Sequence, residues 1–256
     1  MLKKSVIDEF KNKIVLVTGG TSGIGQVTAE LFAKEGAIVI IAGRRKSLGE
    51  KLAKKINGFF VSCDVSVEED VISLMNFIKK QFGQLNIAFN NAGIVSERSL
   101  IVDCPSEKMH SVIDINLKGV WFCMKYEIPL MPSGSAIVNM SSVSGITAGA
   151  EHASYIASKH GVIGLTKAAA VEYGKTIRVN AVCPAVIKTD MTLNAYETPE
   201  KEAEAASRYP IGRLGESKEI ADAVLWLSSN KASFVNGHSV VLDGGFSIHN
   251  QGTKSL

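Results

Sequence analysis

Short, unbroken apolar runs alternate along this chain with longer stretches in which apolar residues recur every three or four positions. The runs are Ile14-Val15-Leu16-Val17, 37–42, Phe59-Phe60-Val61-Ser62, 86–90, 135–140, 177–183 and 238–242. Each is too short for a helix and predicts a strand, and the uniformly apolar run at 14–17 predicts a buried one. Between them, 27–33, 109–125 and 152–173 carry helical spacing. Strands that alternate with helices imply βαβ units. The predicted fold is a doubly wound α/β domain over residues 1–256, with a seven-stranded parallel sheet and helices on both faces. One stretch breaks the rhythm. Residues 188–215 hold a charged helical piece, Pro199 to Arg208, with only small apolar side chains. It reads as a substrate lid of marginal stability, in which Met191, Leu193 and Tyr196 could close over an apolar substrate.

Composition narrows the function classes. The formal net charge is +3, and the basic residues are scattered without interleaved aromatics. That pattern argues against nucleic acid as a partner. No run approaches 18 apolar residues, so no membrane span is expected. Met1 to Phe10 carries no apolar signal segment. Cys63, Cys104, Cys123 and Cys183 stand in apolar surroundings without a CxxC pair and read as buried thiols in a reducing, cytoplasmic compartment. The five histidines show no ligand spacing, so no metal is expected.

The run at 14–17 leads into Thr18-Gly19-Gly20-Thr21-Ser22-Gly23-Ile24-Gly25 and then a helix. Small residues at a strand-to-helix turn let backbone N–H groups approach a dinucleotide pyrophosphate. The spacing is TGxxxGxG, not the commoner GxGxxG. The second strand ends in Gly43-Arg44-Arg45, and no acid stands between Gly36 and Gly49. An NAD site usually has an acid there for the ribose hydroxyl. Two guanidinium groups suit a 2′-phosphate instead, which points to NADP.

Ser142 follows the fifth strand, and Tyr155 and Lys159 stand four apart on one helical face. A free tyrosine has a pKa of about 10 and is a poor base at neutral pH. A nearby ammonium would lower it. Tyr155 could then exchange a proton with a substrate oxygen that Ser142 holds. Of the five tyrosines, only Tyr155 has a lysine at the fourth position after it. Asn116, by its local residues, is a helical amide that needs a partner.

In order along the chain, residues 18–25, Asn91-Ala92-Gly93, Asn116, Ser142, Tyr155 with Lys159, and Pro184 resemble the short-chain dehydrogenase/reductase family. The resemblance covers about residues 12–246. It implies that Asn116 joins Ser142, Tyr155 and Lys159 as catalytic residues, with Asn116 holding a water that links the lysine to solvent. It implies a cofactor held by Gly19, Thr21, Ser22, Gly23, Ile24, Arg44, Arg45, Tyr155 and Lys159. Asp64 and Val65 would lie at the adenine, and Asn91, Ala92 and Gly93 beside its ribose. Pro184, Ile187 and Thr189 would lie at the nicotinamide end. It also implies a homotetramer built on the helices at 109–125 and 152–173 and the C-terminal region. One position departs from the family: Ala185 stands where glycine usually follows the proline. A positive φ there would cost alanine roughly 1 kcal/mol; an ordinary φ would cost nothing.

The expected reaction is reversible hydride transfer between NADP(H) and a secondary alcohol or ketone. Two alternatives stay open: NAD as the cofactor of the same site, and a catalytically silent nucleotide sensor on the same fold.

Overall fold

The computed structural model describes residues 9–189 and 198–249. Its strands are β1 (Ile14–Thr18), β2 (Ile38–Gly43), β3 (Phe59–Ser62), β4 (Ile87–Asn90), β5 (Ser135–Met140), β6 (Ile177–Pro184), β7 (Ile187–Lys188), β8 (Gly215–Glu216) and β9 (Ser239–Leu242). Seven of them form one sheet in the order β3-β2-β1-β4-β5-β6-β9, parallel throughout. The apolar runs locate these strands to within one residue at each end. The helices are α1 (Gly23–Lys34), α2 (Lys46–Lys55), α3 (Glu68–Phe82), α4 (Ser106–Ile113), α5 (Gly119–Glu127), α6 (Ala153–Tyr173), α7 (Pro199–Ala206) and α8 (Ser217–Ser228).

Successive strand residues point to opposite faces. Ile14 and Leu16 of β1 therefore join one core with Leu74 and Ile78 of α3, Val120 of α5 and Val162 of α6. Val15 and Val17 join another with Ala29 and Phe32 of α1, Leu52 of α2 and Ile220 and Val224 of α8. Both faces are dry at β1, β4 and β5, while the edge strands β3 and β9 are partly exposed. Helix ends follow local chemistry. The first turn of α3 holds Glu68, Glu69 and Asp70, its last holds Lys79 and Lys80, and Gly83 closes it at φ 73°.

Two expectations need correction. The stretch 109–125 is not one helix. It spans α4 and α5, joined by a π turn at Asp114–Lys118. And although Cys63, Cys123 and Cys183 are buried, Cys104 is only partly so. It follows a short 3₁₀ turn, Ile101–Asp103, whose Ile101 and Val102 face solvent. Its apolar sequence neighbours lie on the surface.

Chain order reverses on either side of β1, between β2 and β4. In open α/β sheets ligands bind outside the carboxyl ends of the strands at such a point. Thr18, Gly43, Asn90, Met140 and Pro184 end their strands there.

Candidate active site

The turn after β1 is laced to the turn after β4. Thr18 Oγ1 accepts from the backbone N–H of Asn91 and Ala92 at 3.0 and 3.1 Å. Asn91 Nδ2 donates to the carbonyls of Thr18 and Gly19 at 3.0 and 3.2 Å. Gly19 has φ 62°, and a Cβ on it would lie 2.8 Å from Ala92 Cα. Only glycine permits this approach. The N-terminus of α1 has neither a capping side chain nor an acid in its first turn. Its N–H groups, with Thr21, Ser22, Gly23 and Ile24 around them, remain available to a phosphate.

The two arginines after β2 behave differently. Arg45 lies back across the glycine turn: its Nε and Nη2 donate to Thr21 Oγ1 at 3.1 and 2.8 Å, and Nη2 also reaches Ser22 Oγ. Arg44 is exposed and pairs with Asp64 at 3.5 Å, a contact of little energetic weight. Burial alone would raise the Asp64 carboxyl. Hydrogen bonds from Ser66 and the Arg44 guanidinium more than offset it and hold the group below its usual range. Val65, next in the chain, is buried.

Ser142, Tyr155 and Lys159 converge beyond β5. Ser142 is buried and precedes a 3₁₀ turn; its hydroxyl accepts from Ser144 N at 3.1 Å. Lys159 Nζ lies 5.6 Å from the centre of the Tyr155 ring. It donates to Met140 O at 2.8 Å. Burial pushes the lysine down to about 8. Burial also pushes the Tyr155 phenol up, against a smaller downward pull from the Ser142 hydroxyl. The lowering expected of the lysine is therefore not seen: the phenol is desolvated, and the ammonium is turned toward the Met140 carbonyl. A buried ammonium has three donors, and among the described residues one acceptor meets them. Two donors are left for a ligand.

Asn116 sits in the middle of the π turn, fully buried. Its Oδ1 accepts from Ile94 N and its Nδ2 donates to Ile94 O, both at 2.8 Å. Nδ2 also reaches Ser158 Oγ at 3.3 Å, and that hydroxyl donates to Tyr155 O at 2.7 Å. A one-residue widening of the helix aims the amide at the Ile94 backbone; such turns recur at functional sites. Gly93 lies between: a Cβ there would stand 3.1 Å from Asn116 Oδ1 and 3.7 Å from Lys159 Nζ.

At the far end, Ala185 follows Pro184 without a positive φ, since Asn12, Asn57 and Glu151 are the non-glycine residues so placed among those described. Alanine therefore carries no strain in this turn. Ile187 is buried, and the Thr189 methyl would stand 3.2 Å from a Cβ on Gly23. These residues close the arc begun by the glycine turn. β7 pairs in parallel with β8 and brackets the irregular stretch. The helical piece is Pro199–Ala206, capped by Thr198. It is better anchored than its composition suggests: Ala205, Tyr209 and Leu214 are buried against Ala185, Val186 and Phe246. Met191, Leu193 and Tyr196 lie outside the described residues.

Some residues at this site gave no sequence signal. Ser158 is a small polar residue in a helix. The choice of Arg45 over Arg44 depends on a fold-back no motif encodes.

Among the described residues no helix is long and apolar enough to cross a membrane. The family profile described as enoyl-(acyl carrier protein) reductase matches residues 19–247. The chain is 39% identical over 253 residues to cyclohexanol dehydrogenase of an Acinetobacter species, covering 96% of this chain and 99% of that one. It is 39% identical over 247 residues to 2,5-dichloro-2,5-cyclohexadiene-1,4-diol dehydrogenase of Sphingobium indicum, covering 94% and 99%. The solved structure of Thermoplasma acidophilum aldohexose dehydrogenase superposes with a TM-score of 0.89 at 34% identity, covering 95% of this chain and 97% of that one. With its ordered motifs brought to one edge of a parallel sheet, the chain belongs to the short-chain dehydrogenase/reductase family, NAD(P)-dependent oxidoreductases that act on CH–OH groups.

Proposed function

We propose that this enzyme interconverts a secondary alcohol and a ketone with NADP(H), and that Tyr155 is its general acid/base. The observation that carries the reading is the buried Lys159 ammonium, with a single acceptor among the described residues, beside the Tyr155 ring and the Ser142 hydroxyl. When bound, NADP(H) supplies the hydride acceptor or donor. Gly19, Gly23, Ile24 and the uncapped start of α1 would hold its pyrophosphate. Thr21, Ser22 and Arg45 would hold the 2′-phosphate with help from Arg44. Asp64, Val65, Asn91, Ala92 and Gly93 would flank the adenosine, and Pro184, Ile187 and Thr189 the nicotinamide.

The rest is the chain's own work. Ser142 donates to the reacting oxygen. Tyr155 takes the alcohol proton in oxidation and returns it in reduction. Lys159 orients the ribose and, once its spare donors are engaged, favours the phenolate. Asn116 fixes Ile94 and the Ser158 hydroxyl behind the tyrosine. Residues 188–215 act as the lid that excludes water. The enzyme works in the cytoplasm, in keeping with its free thiols, as a homotetramer. The two curated relatives are named for cyclic alcohols, which makes a ring alcohol or ketone the first substrate class to try.

Tyr155→Phe tests the core of this reading. Turnover should fall at least ~100-fold, while NADPH affinity measured by fluorescence holds. Turnover near the unmutated level would remove Tyr155 from the chemistry. Cofactor choice is tested separately: Arg45→Ala should weaken NADPH by roughly 10-fold or more and leave NADH nearly unchanged. Equal NADH and NADPH affinity in the unmutated chain points to the rival reading, in which NAD serves the same site.

A further inference from the structure

Glu127 is a buried acid that the chemistry proposed above does not use. It stands at the end of α5 with no exposure to solvent. Among the described residues no cation pairs with it. Its partner is Asn90, whose Nδ2 donates to Oε2 at 3.0 Å. Glu127 Oε1 and Asn90 Oδ1 are both buried acceptors without a donor among the described residues. A proton on Oε1 turns that oxygen into a donor, and Asn90 Oδ1 is an acceptor that lacks one. Burial favours this proton and holds the acid up to about 8.

The contacts continue past the pair. Asn90 Nδ2 also donates to Asn139 Oδ1 at 3.1 Å, and Asn139 Nδ2 donates to Thr166 Oγ1 at 3.0 Å. Asn90 and Asn139 are register partners near the carboxyl ends of β4 and β5, and Thr166 lies on α6. All four residues are buried. The cluster thus ties together three elements that present the site. Asn90 is followed by Asn91, which is laced to the glycine turn. Asn139 is followed by Met140, whose carbonyl accepts from Lys159. The other ionisable groups around Glu127 are silent. Burial pushes the Cys123 thiol, one turn earlier on α5, well above its ordinary value, and the Cys63 thiol after β3 up to about 12. Lys125 and Tyr126 are engaged by Glu68 of α3. β4, β5 and α6 offer the cluster only amides and a hydroxyl.

We propose that Glu127 is a positioning residue: as the neutral acid it fixes Asn90, and through Asn90 it holds the Asn91-Ala92-Gly93 turn against the adenosine half of the cofactor. An ionised Glu127 is a buried charge with one neutral donor, which draws in further donors or swings toward water. Either move displaces Asn90 at the end of β4, and Asn91 moves with it. Cofactor affinity is thereby coupled to a proton held outside the site. The proposal rests on the reading that places adenosine beside Asn91, Ala92 and Gly93.

The probe is adenosine 2′,5′-bisphosphate. It lacks the nicotinamide and its ribose, so Lys159, itself near 8, takes no part, and its phosphates are ionised throughout the range above about pH 7. Raising the pH from about 7 to about 9.5 should weaken its binding to the unmutated chain roughly 5-fold or more, the low end of coupling between linked sites. Glu127→Gln, whose amide donates at every pH, should bind it equally at both. Calorimetry at about pH 8.5 in buffers of different ionisation enthalpy should show proton uptake on binding to the unmutated chain and none with Glu127→Gln, because the tighter-binding form carries the proton. A purely structural role would move the melting temperature and leave these readings flat. Equal affinity at both pH values in the unmutated chain, or a fall of the same size in Glu127→Gln, overturns the proposal and leaves the cofactor reading standing. No binding of the probe at either pH overturns the placement of the cofactor, and this proposal with it.

Discussion

Glu127, at the end of α5, is fully buried. Asn90 Nδ2 donates to its Oε2 at 3.0 Å, while its Oε1 and Asn90 Oδ1 have no partner among the described residues. Burial raises this carboxyl from 4.5 to about 8. A retained proton supplies the donor that the two unpaired acceptors lack. Because the folded pKa lies above the unfolded one, the folded chain binds more protons between pH 4.5 and about 8. Stability from this group is full below that window and is lost as pH rises through it. Thermal melts should fall by an amount worth on the order of a few kcal/mol across the window, and Glu127→Gln should flatten that fall. Parallel melting curves for the two proteins would mean that Glu127 does not carry the pH dependence. Nothing in the sequence marks this residue: its partner lies 37 positions away, and a glutamate near a helix end usually faces water. Tyr155 and Lys159, by contrast, are legible because helix geometry fixes their relation. Gly93 offers a second residue-level test. Gly93→Ala places a methyl 3.1 Å from Asn116 Oδ1. It should cost about 1–3 kcal/mol of stability and lower kcat more than it raises KM; unchanged kcat would show that the Asn116–Lys159 gap tolerates the methyl.

The helices show where periodicity stops informing. From 109 to 125 the apolar spacing fits one helix, yet one π turn interrupts it at Asp114–Lys118. The π turn lies inside an otherwise continuous helical stretch and no residue type in it announces the extra residue, so the sequence could place Asn116 on a helix but not aim its amide. Within the irregular stretch, α7 depends on a cap: Thr198 Oγ1 accepts from Lys201 N, and Lys188 reaches Glu202 from β7. Thr198→Ala should destabilise α7 by about 1 kcal/mol. Amide exchange across 199–206 should then quicken several-fold while the global melt hardly moves; exchange at the original rate would show that Tyr209 and Leu214 hold the helix without its cap. With NADPH and a competitive inhibitor bound, exchange in the same residues should slow. Unchanged protection would make the segment a fixed part of the surface.

At the scale of the whole molecule, the sheet was the most legible part, since its central strands, buried on both faces, announce themselves as apolar runs and the partly exposed edge strands β3 and β9 keep short apolar cores. Its surface was read through the helices, and Met109 and Trp121 on α4 and α5, with Val171 and Tyr173 on α6, do remain exposed. A homotetramer would cover them. Light scattering should give four times the 27.4 kDa of one chain, and a clean monomer would refute that assembly. The two-residue pair β7–β8 has a wider consequence. Ile187 lies beside Gly215 and Lys188 beside Glu216 in a two-stranded pair separate from the main sheet, so the two ends of the stretch between them are held at one spot. Closing a loop costs only about 0.6 kcal/mol more for each doubling of its length. Residues between Thr189 and Ala205 can therefore be lengthened, shortened or exchanged at little closure cost, while Ala205, Tyr209 and Leu214 stay packed with Ala185, Val186 and Phe246. On the function proposed above, the clamp turns that stretch into an interchangeable cassette, through which evolution or an engineer can refit the enzyme to new substrates while Ser142, Tyr155 and Lys159 stay untouched.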